Sequence, residues 1–419
     1  MTDKETGMTP RKVKLTFPKP PTRPGDEPDF SGIDIPQAGL LDVPSLDMDA
    51  RSSRDYANGL IRVLDDDGNA VGPWADYLGD DCGDLLLQGL RDMMTMRAID
   101  KRMHTAQRQG KTSFYMQCTG EEAVGCAFQR QMQPGDMNFP TYRQQTLLVA
   151  NDYPLEMLFG QYYSNDLDPL RGRQLPVLHS ARDFGFFTVS GNLGTQYVQA
   201  VGWAMANALS GDGKIATAWI GDGATASNDY HGALLMASVY QPPVILNVVN
   251  NQWAISTYTG VASGAARTYA ARMRGYGIPS LRVDGNDYLA VAAVSRWARD
   301  RLANGFGPVG IEWFTYRFGA HSSSDDPSAY RPRDDGSAWP LGDPIERLKT
   351  HLITRGLWSE ERHVQVQAQI LEEVTAEQKR VEAHGTLVNP VPMSPAEIFN
   401  DVYAELPDHL RRQRQEMGY

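Results

Sequence analysis

At 419 residues the chain is long enough to bury a large core and to hold more than one domain. Hydrophobic residues make up 41% and charged residues 22%, so composition gives no case for global disorder. A formal net charge of −11 argues against a surface built for nucleic acid or anionic lipid. Cys82, Cys118 and Cys126 form no CxxC pair and have no His cluster beside them. That argues against a disulfide framework or a zinc site and fits a reducing, cytoplasmic setting. Residues 1–20 are polar, basic and broken by prolines, unlike a secretory signal. No run approaches the roughly eighteen uninterrupted apolar residues of a membrane span.

In chain order, residues 1–50 are rich in proline and glycine with little periodic pattern, and read as an extended N-terminal arm. Residues 51–419 read as one α/β domain with a helical C-terminal region. Helical spacing starts near Asp81 and runs through Leu85, Leu86, Leu90, Met93, Met94 and Ile99. Val198 to Leu209 predicts a helix that ends at the turn Gly211-Asp212-Gly213. Ile215 to Ile220 predicts a strand, residues 228–240 a helix stopped by Pro242-Pro243, and Val244 to Val249 a second strand. Leu281 to Asp284 and Val309 to Thr315 add strands, with helical Tyr288 to Leu302 between them. Region 341–383 is charged, amphipathic and helical. Strands alternating with helices imply a mainly parallel sheet flanked by helices.

The segment that carries chemistry is Gly221-Asp222-Gly223, followed after twenty-six residues by Asn250-Asn251. It sets an acid and an amide at the carboxyl ends of consecutive strands, where ligands of parallel sheets sit. Glycine lets backbone approach a diphosphate, and the following turn can aim N–H groups at it. Asp222 and Asn251 offer the hard oxygen ligands that magnesium prefers, often shared with phosphate. A lone GDG is commonly only a tight turn, as expected for Gly211 to Gly213, which precedes its strand. The rival is a dinucleotide site, because Gly221 to Ala226 fits a relaxed G-x-G-x-x-A. That site also needs an acid at the next strand's end, yet no Asp or Glu lies between Asp229 and Asp284. Nicotinamide binding is disfavoured.

With this spacing the chain resembles the thiamine-diphosphate enzymes, and within them the α subunits of heterotetrameric 2-oxo acid dehydrogenases. Further matching stretches are Phe139-Pro140-Thr141-Tyr142-Arg143, Gly172-Arg173-Gln174-Leu175-Pro176 and Ala254-Ile255-Ser256-Thr257. Leu281 to Asp287, His321 to Asp326 and Pro407 to Gln413 match as well, so the resemblance spans roughly residues 50 to 415. It is closest to the branched-chain (2-oxoisovalerate) members, with pyruvate- or acetoin-type α subunits as the alternative.

The resemblance implies magnesium ligands at Asp222, at the Asn251 side chain and at the Trp253 carbonyl. It implies diphosphate contacts from Tyr142, Arg143, Gly223 and Ala224, and aminopyrimidine contacts from Gly191 and Leu193. A potassium ion is implied at Ser190, Asn192, Thr195 and Gln196, with Asn192 standing where relatives carry proline. Val249 stands where some branched-chain members place an arginine toward the diphosphate. His321 is implied as the catalytic histidine beside the reactive ring, where a group titrating near neutrality can manage protons. Ser322 matches a serine phosphorylated in mammalian relatives. Phe114, Tyr115 and Gln117 are implied near the substrate channel. The resemblance also implies a β subunit that supplies the glutamate activating the aminopyrimidine, an α2β2 heterotetramer, and a dihydrolipoyl acyltransferase that receives the acyl group on its lipoyl arm. Cys118 as a catalytic thiol lacks any evident base.

Overall fold

The computed structural model describes residues 14–79, 82–264 and 268–419. The first thirteen residues of the expected arm, and Asp81 at the expected helix start, lie outside the described residues. Five parallel strands form the sheet: β1 (Met137–Phe139), β2 (Ala216–Gly221), β3 (Val244–Asn250), β6 (Ser280–Asp284) and β7 (Val309–Phe314). Their order is β1-β2-β3-β7-β6. A small antiparallel hairpin, β4 (Trp253–Ala254) with β5 (Thr257–Tyr258), follows β3 directly.

Side-chain alternation explains why the sheet is covered on both faces. Val244, Leu246 and Val248 of β3 face one cluster, and Ile245 and Val249 face the other. The first cluster is closed by helices Thr195–Ser210 and Asn228–Tyr240, through Tyr197, Ala200, Ala204, Leu234 and Ala237. The second is closed by helices Gly83–Arg108, Glu122–Gln129 and Tyr288–Ala303. Helix starts follow capping chemistry. Ser227 accepts from Tyr230 N–H at 3.3 Å, Asp287 from Ala290 N–H at 3.0 Å and Ser359 from Arg362 N–H at 3.1 Å.

The predicted central elements appear within a few residues of their expected bounds, and region 341–383 resolves into two helices, Pro344–Thr354 and Glu360–Glu382. Strand β1 was not anticipated: three residues, Met-Asn-Phe, carry no periodic signal. The arm, where described, has no helix or strand before residue 50, and its second half is fastened to the domain. The Arg301 guanidinium donates to the carbonyls of Leu46 and Met48 at 2.6 and 2.8 Å, and Trp297 donates to Pro44 at 2.9 Å. Among the described residues no helix is long and apolar enough to cross a membrane.

Strand register sets the site. Gly221 lies opposite Val249, so the chain leaves β2 and β3 at the same level. Residues 222 and 251 therefore emerge side by side, at the position where a parallel sheet leaves its crevice.

Candidate active site

A cleft of about 510 Å³ opens at the carboxyl tips of β2 and β3. Its walls include Tyr142, Arg143, Gly191, Leu193, Asp222, Gly223, Ala224, Asn251, Trp253 and His321. Five segments far apart in sequence thus meet around one cleft.

The floor is set by a close approach. A Cβ placed on Gly223 would lie 2.2 Å from the Ala254 Cβ, so only glycine lets the β2 tip meet the hairpin. By contrast, Gly211 and Gly213 have φ of 74° and 66° and form the expected tight turn. Beside the floor, Asp222 is 2% exposed, and its Oδ1 accepts the Gly223 N–H at 2.8 Å. Its Oδ2 is buried with no hydrogen-bond partner. Burial pushes this carboxyl up to about 6, against the Gly223 hydrogen bond and the nearby Arg317 charge.

Asn251 donates from Nδ2 to Glu121 Oε1 at 2.7 Å, and its Oδ1 accepts from Trp253 N–H at 3.3 Å. The Trp253 carbonyl accepts from Arg317 Nη1 at 2.9 Å. One carboxylate, one amide and one carbonyl make a hard oxygen set of the kind magnesium takes. No cluster of three or more His, Cys, Asp or Glu suited to a metal occurs among the described residues. This donor set is of another kind, because two of its three members are an amide and a carbonyl.

Two buried arginines supply the cleft's positive charge. Arg143 donates to the carbonyls of Gln117 and His321, the latter at 2.9 Å, and its Nε lies 3.6 Å from Glu121. Arg317 donates to the carbonyls of Trp253, Ile255 (3.0 Å) and Gly319 (3.2 Å) and to the Tyr330 hydroxyl (2.6 Å). Burial and the neighbouring Arg143 lower Arg317 to about 10.

His321 Nδ1 faces Arg143 Nη2 at 3.4 Å and Arg317 Nη1 at 3.5 Å. Two donors aimed at Nδ1 leave it the acceptor and place the ring proton on Nε2. Burial, reinforced by the two guanidinium charges, drives the imidazole down to about 3. In the cofactor-free chain His321 is thus a neutral imidazole, below the near-neutral range expected of a proton-managing group. Its loop is anchored by Asp325 Oδ2, which accepts from His321 N–H at 2.8 Å and from the Tyr330 hydroxyl at 2.6 Å. Ser322 is buried, and its hydroxyl accepts from Ser324 N–H at 3.3 Å.

The loop before helix Thr195–Ser210 closes on itself. Asn192 N–H donates to Ser190 Oγ at 3.1 Å, and the Thr195 hydroxyl reaches Asp229 at 3.5 Å. Gln196 is buried, and its Oε1 has no partner. Leu193 is 52% exposed at the cleft rim, close to the exposed Ile255 and Val261.

The substrate-channel residues do not line the cleft. Tyr115 is buried in the core, where its hydroxyl donates to Asp100 Oδ1 at 2.8 Å and its ring meets Tyr162 edge-on. Phe114 packs against the same core. Gln117 reaches the site through its carbonyl to Arg143, and its side-chain oxygen lies beside Gly319. Cys118 is fully buried, its thiol donates to the Arg143 carbonyl at 3.1 Å, and burial pushes its pKa well up, so it offers no thiolate.

Sequence reasoning missed Glu121 and Arg317. Glu121 is 4% exposed, lines the cleft and is raised to about 7 by burial, against Arg143, Asn251 and Arg317. The available signal for Arg317 was a lone charge within the largely aromatic run Trp313 to Phe318, where a buried ion needs a partner or a ligand.

A family model described as the dehydrogenase E1 component matches residues 91–389, and one described as the 2-oxoisovalerate dehydrogenase E1 alpha subunit N terminal matches residues 11–51. The chain belongs to the dehydrogenase E1 component family, a thiamine-diphosphate-dependent family of enzyme components. Among its relatives is the 2-oxoisovalerate dehydrogenase subunit alpha of Pseudomonas aeruginosa. That protein is 55% identical over 406 residues, covering 97% of this chain and 98% of the relative. The mitochondrial 2-oxoisovalerate dehydrogenase alpha subunits of Caenorhabditis elegans and Mus musculus are 38% and 36% identical, covering 83% and 86% of this chain and 80% and 79% of their own. The resemblance read from the GDG–NN spacing is thus a family membership.

Proposed function

We propose that this chain is the α subunit of a branched-chain 2-oxo acid dehydrogenase, acting with a β subunit as an α2β2 heterotetramer. The observation that carries the cofactor reading is the bare Asp222 Oδ2, buried beside the Asn251 amide and the Trp253 carbonyl. An unpaired buried carboxylate oxygen is costly unless a cation satisfies it. Asp222, Asn251 and the Trp253 carbonyl would hold magnesium, and the backbone at Gly223 and Ala224, with Tyr142 and Arg143, would hold the diphosphate. Gly191 and Leu193 would meet the aminopyrimidine. The unpartnered Gln196 Oε1, together with Ser190, Asn192 and Thr195, would take potassium.

Thiamine diphosphate, when bound, supplies the electron sink for decarboxylation. The protein's part is positioning, charge and proton placement. Arg143 and Arg317, both buried, concentrate positive charge at the inner end of the cleft. An anion there would offset both guanidinium charges and so relieve part of the lowering of the His321 pKa, the larger part of which comes from burial. Until then its Nε2–H is a donor only. Glu121 and Asp222 are the carboxylates lining the cleft among the described residues, and both face the metal side. The ring-activating glutamate is therefore assigned to the β subunit, with acyl transfer to the lipoyl arm of a dihydrolipoyl acyltransferase. The branched-chain substrate class rests on the relatives' names.

The test is to purify the chain with its β subunit and assay branched-chain 2-oxo acids and pyruvate, with and without thiamine diphosphate and magnesium. Decarboxylation that requires both supports the cofactor reading, and preference for the branched acids supports the substrate class. Full activity from the α chain alone would refute the shared site.

A further inference from the structure

An asparagine side chain has an oxygen end and a nitrogen end of nearly the same size. Surrounding hydrogen bonds decide which one faces a cleft. A metal can use only the oxygen. At Asn251 the shorter of the two contacts that set this choice is to Glu121, whose carboxyl oxygen accepts Nδ2–H at 2.7 Å, while Trp253 N–H donates to Oδ1 at 3.3 Å. With Glu121 Oε1 accepting from it, the amide nitrogen is pinned toward Glu121 and Oδ1 is turned away from it.

Glu121 is held for this purpose. It precedes helix Glu122–Gln129, is 4% exposed, and its N–H donates to the Cys118 carbonyl at 2.9 Å. The neighbouring Glu122 has a different task, accepting from Gly120 N–H at 2.8 Å and pairing with Arg97. The same Glu121 Oε1 that holds Asn251 lies 3.6 Å from Arg143 Nε. One oxygen therefore touches the metal wall, after β3, and the diphosphate wall, after β1.

We infer that Glu121 is a positioning residue for the cofactor site. It orients the Asn251 amide for the metal and ties that orientation to the Arg143 clamp. This rests on the thiamine-diphosphate reading of the cleft. Removing such outer partners of a metal ligand typically weakens metal affinity about 10–100-fold.

The experiment measures Mn2+ binding by electron paramagnetic resonance in the α–β complex at saturating thiamine diphosphate, alongside kcat and the apparent KM for Mg2+. Asp222→Asn serves as the reference for a lost ligand. Glu121→Met removes the acceptor at similar size, and should weaken Mn2+ at least about tenfold and raise the KM for Mg2+ more than it lowers kcat. Glu121→Gln can still accept from Asn251 through Oε1, and should stay within about threefold of the wild type. Circular dichroism confirms that both variants fold, and a variant that does not fold is replaced by Glu121→Leu or Glu121→His. Equal Mn2+ affinity in the Met and Gln variants, at either the wild-type or the lowered value, overturns the inference. If the wild type binds no Mn2+ with thiamine diphosphate, the cofactor reading itself fails. If only Asp222→Asn loses the metal, the positioning role alone fails.

Discussion

Asp222 and Asp284 both stand at carboxyl ends of parallel strands, one just after β2 and one closing β6. Both are buried, 2% and 0% exposed, and burial raises both carboxyl groups. Their partners differ. Asp284 accepts from Arg347 Nη1 at 2.8 Å and from Asn286 N–H at 2.9 Å, with Arg62 3.4 Å away. Asp222 has one backbone hydrogen bond and one bare oxygen. A buried acid with all its lone pairs answered is part of the scaffold; one left open on a cleft is built to receive something.

The sharpest way to break the contrast is to neutralise the open acid. Asp222→Asn should cost at least about a hundredfold in Mg2+ or Mn2+ affinity of the α–β complex, beyond the loss typical of an outer partner. The same change should stabilise the cofactor-free chain by about 1–3 kcal/mol at pH 7, since it removes a carboxyl held above its ordinary value. Urea unfolding reads the second effect, and lower stability would contradict the account of the bare oxygen. Removing the partner of the closed acid should do the reverse. Arg347→Met should cost about 3–5 kcal/mol, because it strands Asp284. Metal affinity of the folded fraction should stay at the wild-type value.

The pH dependence sharpens the contrast further. Asp222 titrates near 6 in the folded chain and near 4 when unfolded, so the native state holds the extra proton between those values. Stability of the cofactor-free chain therefore falls as pH rises from about 4 to about 6, and Glu121, raised to about 7, extends that slope upward. Asp222→Asn should flatten the lower part of this window, and an unchanged profile would remove Asp222 as its source. A smaller effect is expected at the floor. Gly223→Ala drives a methyl into Ala254 and should cost about 1–3 kcal/mol as an overpacked contact, with weaker thiamine diphosphate binding by calorimetry. At the far end of the scale, Arg380 pairs with Glu156 and Glu377 on the surface, and Arg380→Ala should change stability by less than about 1 kcal/mol.

What the sequence made legible follows from locality. Asp222 and Asn251 could be placed because each sits one step past a strand with a strong apolar pattern, and β-register does the rest. Short apolar runs likewise gave four of the five sheet strands. Glu121 could not be found this way. Its role depends on a partner 130 residues away, and no periodicity encodes such a meeting. His321 could be placed on its loop, but the lowering of its pKa was not legible, since the two guanidinium groups at its Nδ1 come from different segments. The direction of the Tyr115 ring was not legible for a related reason: a place near the site in sequence does not encode the core contact that its hydroxyl makes with Asp100.

Trp253 carries two duties on separate parts of one residue. Its carbonyl, the proposed metal ligand, accepts from Arg317 Nη1 at 2.9 Å, while its indole packs with Phe314, Tyr316 and Trp339 and donates to the Tyr316 hydroxyl at 2.9 Å. The arm joins that cluster through Phe30, whose ring meets Tyr316 and Trp339 edge-on. A change of side chain at 253 leaves every ligand atom in the sequence unaltered, yet it loosens the platform that aims one of them. Variants here will present as poorly accumulating or heat-labile protein rather than as cleanly inactive enzyme, and a clinical or evolutionary scan that scored only ligand atoms would pass over the position.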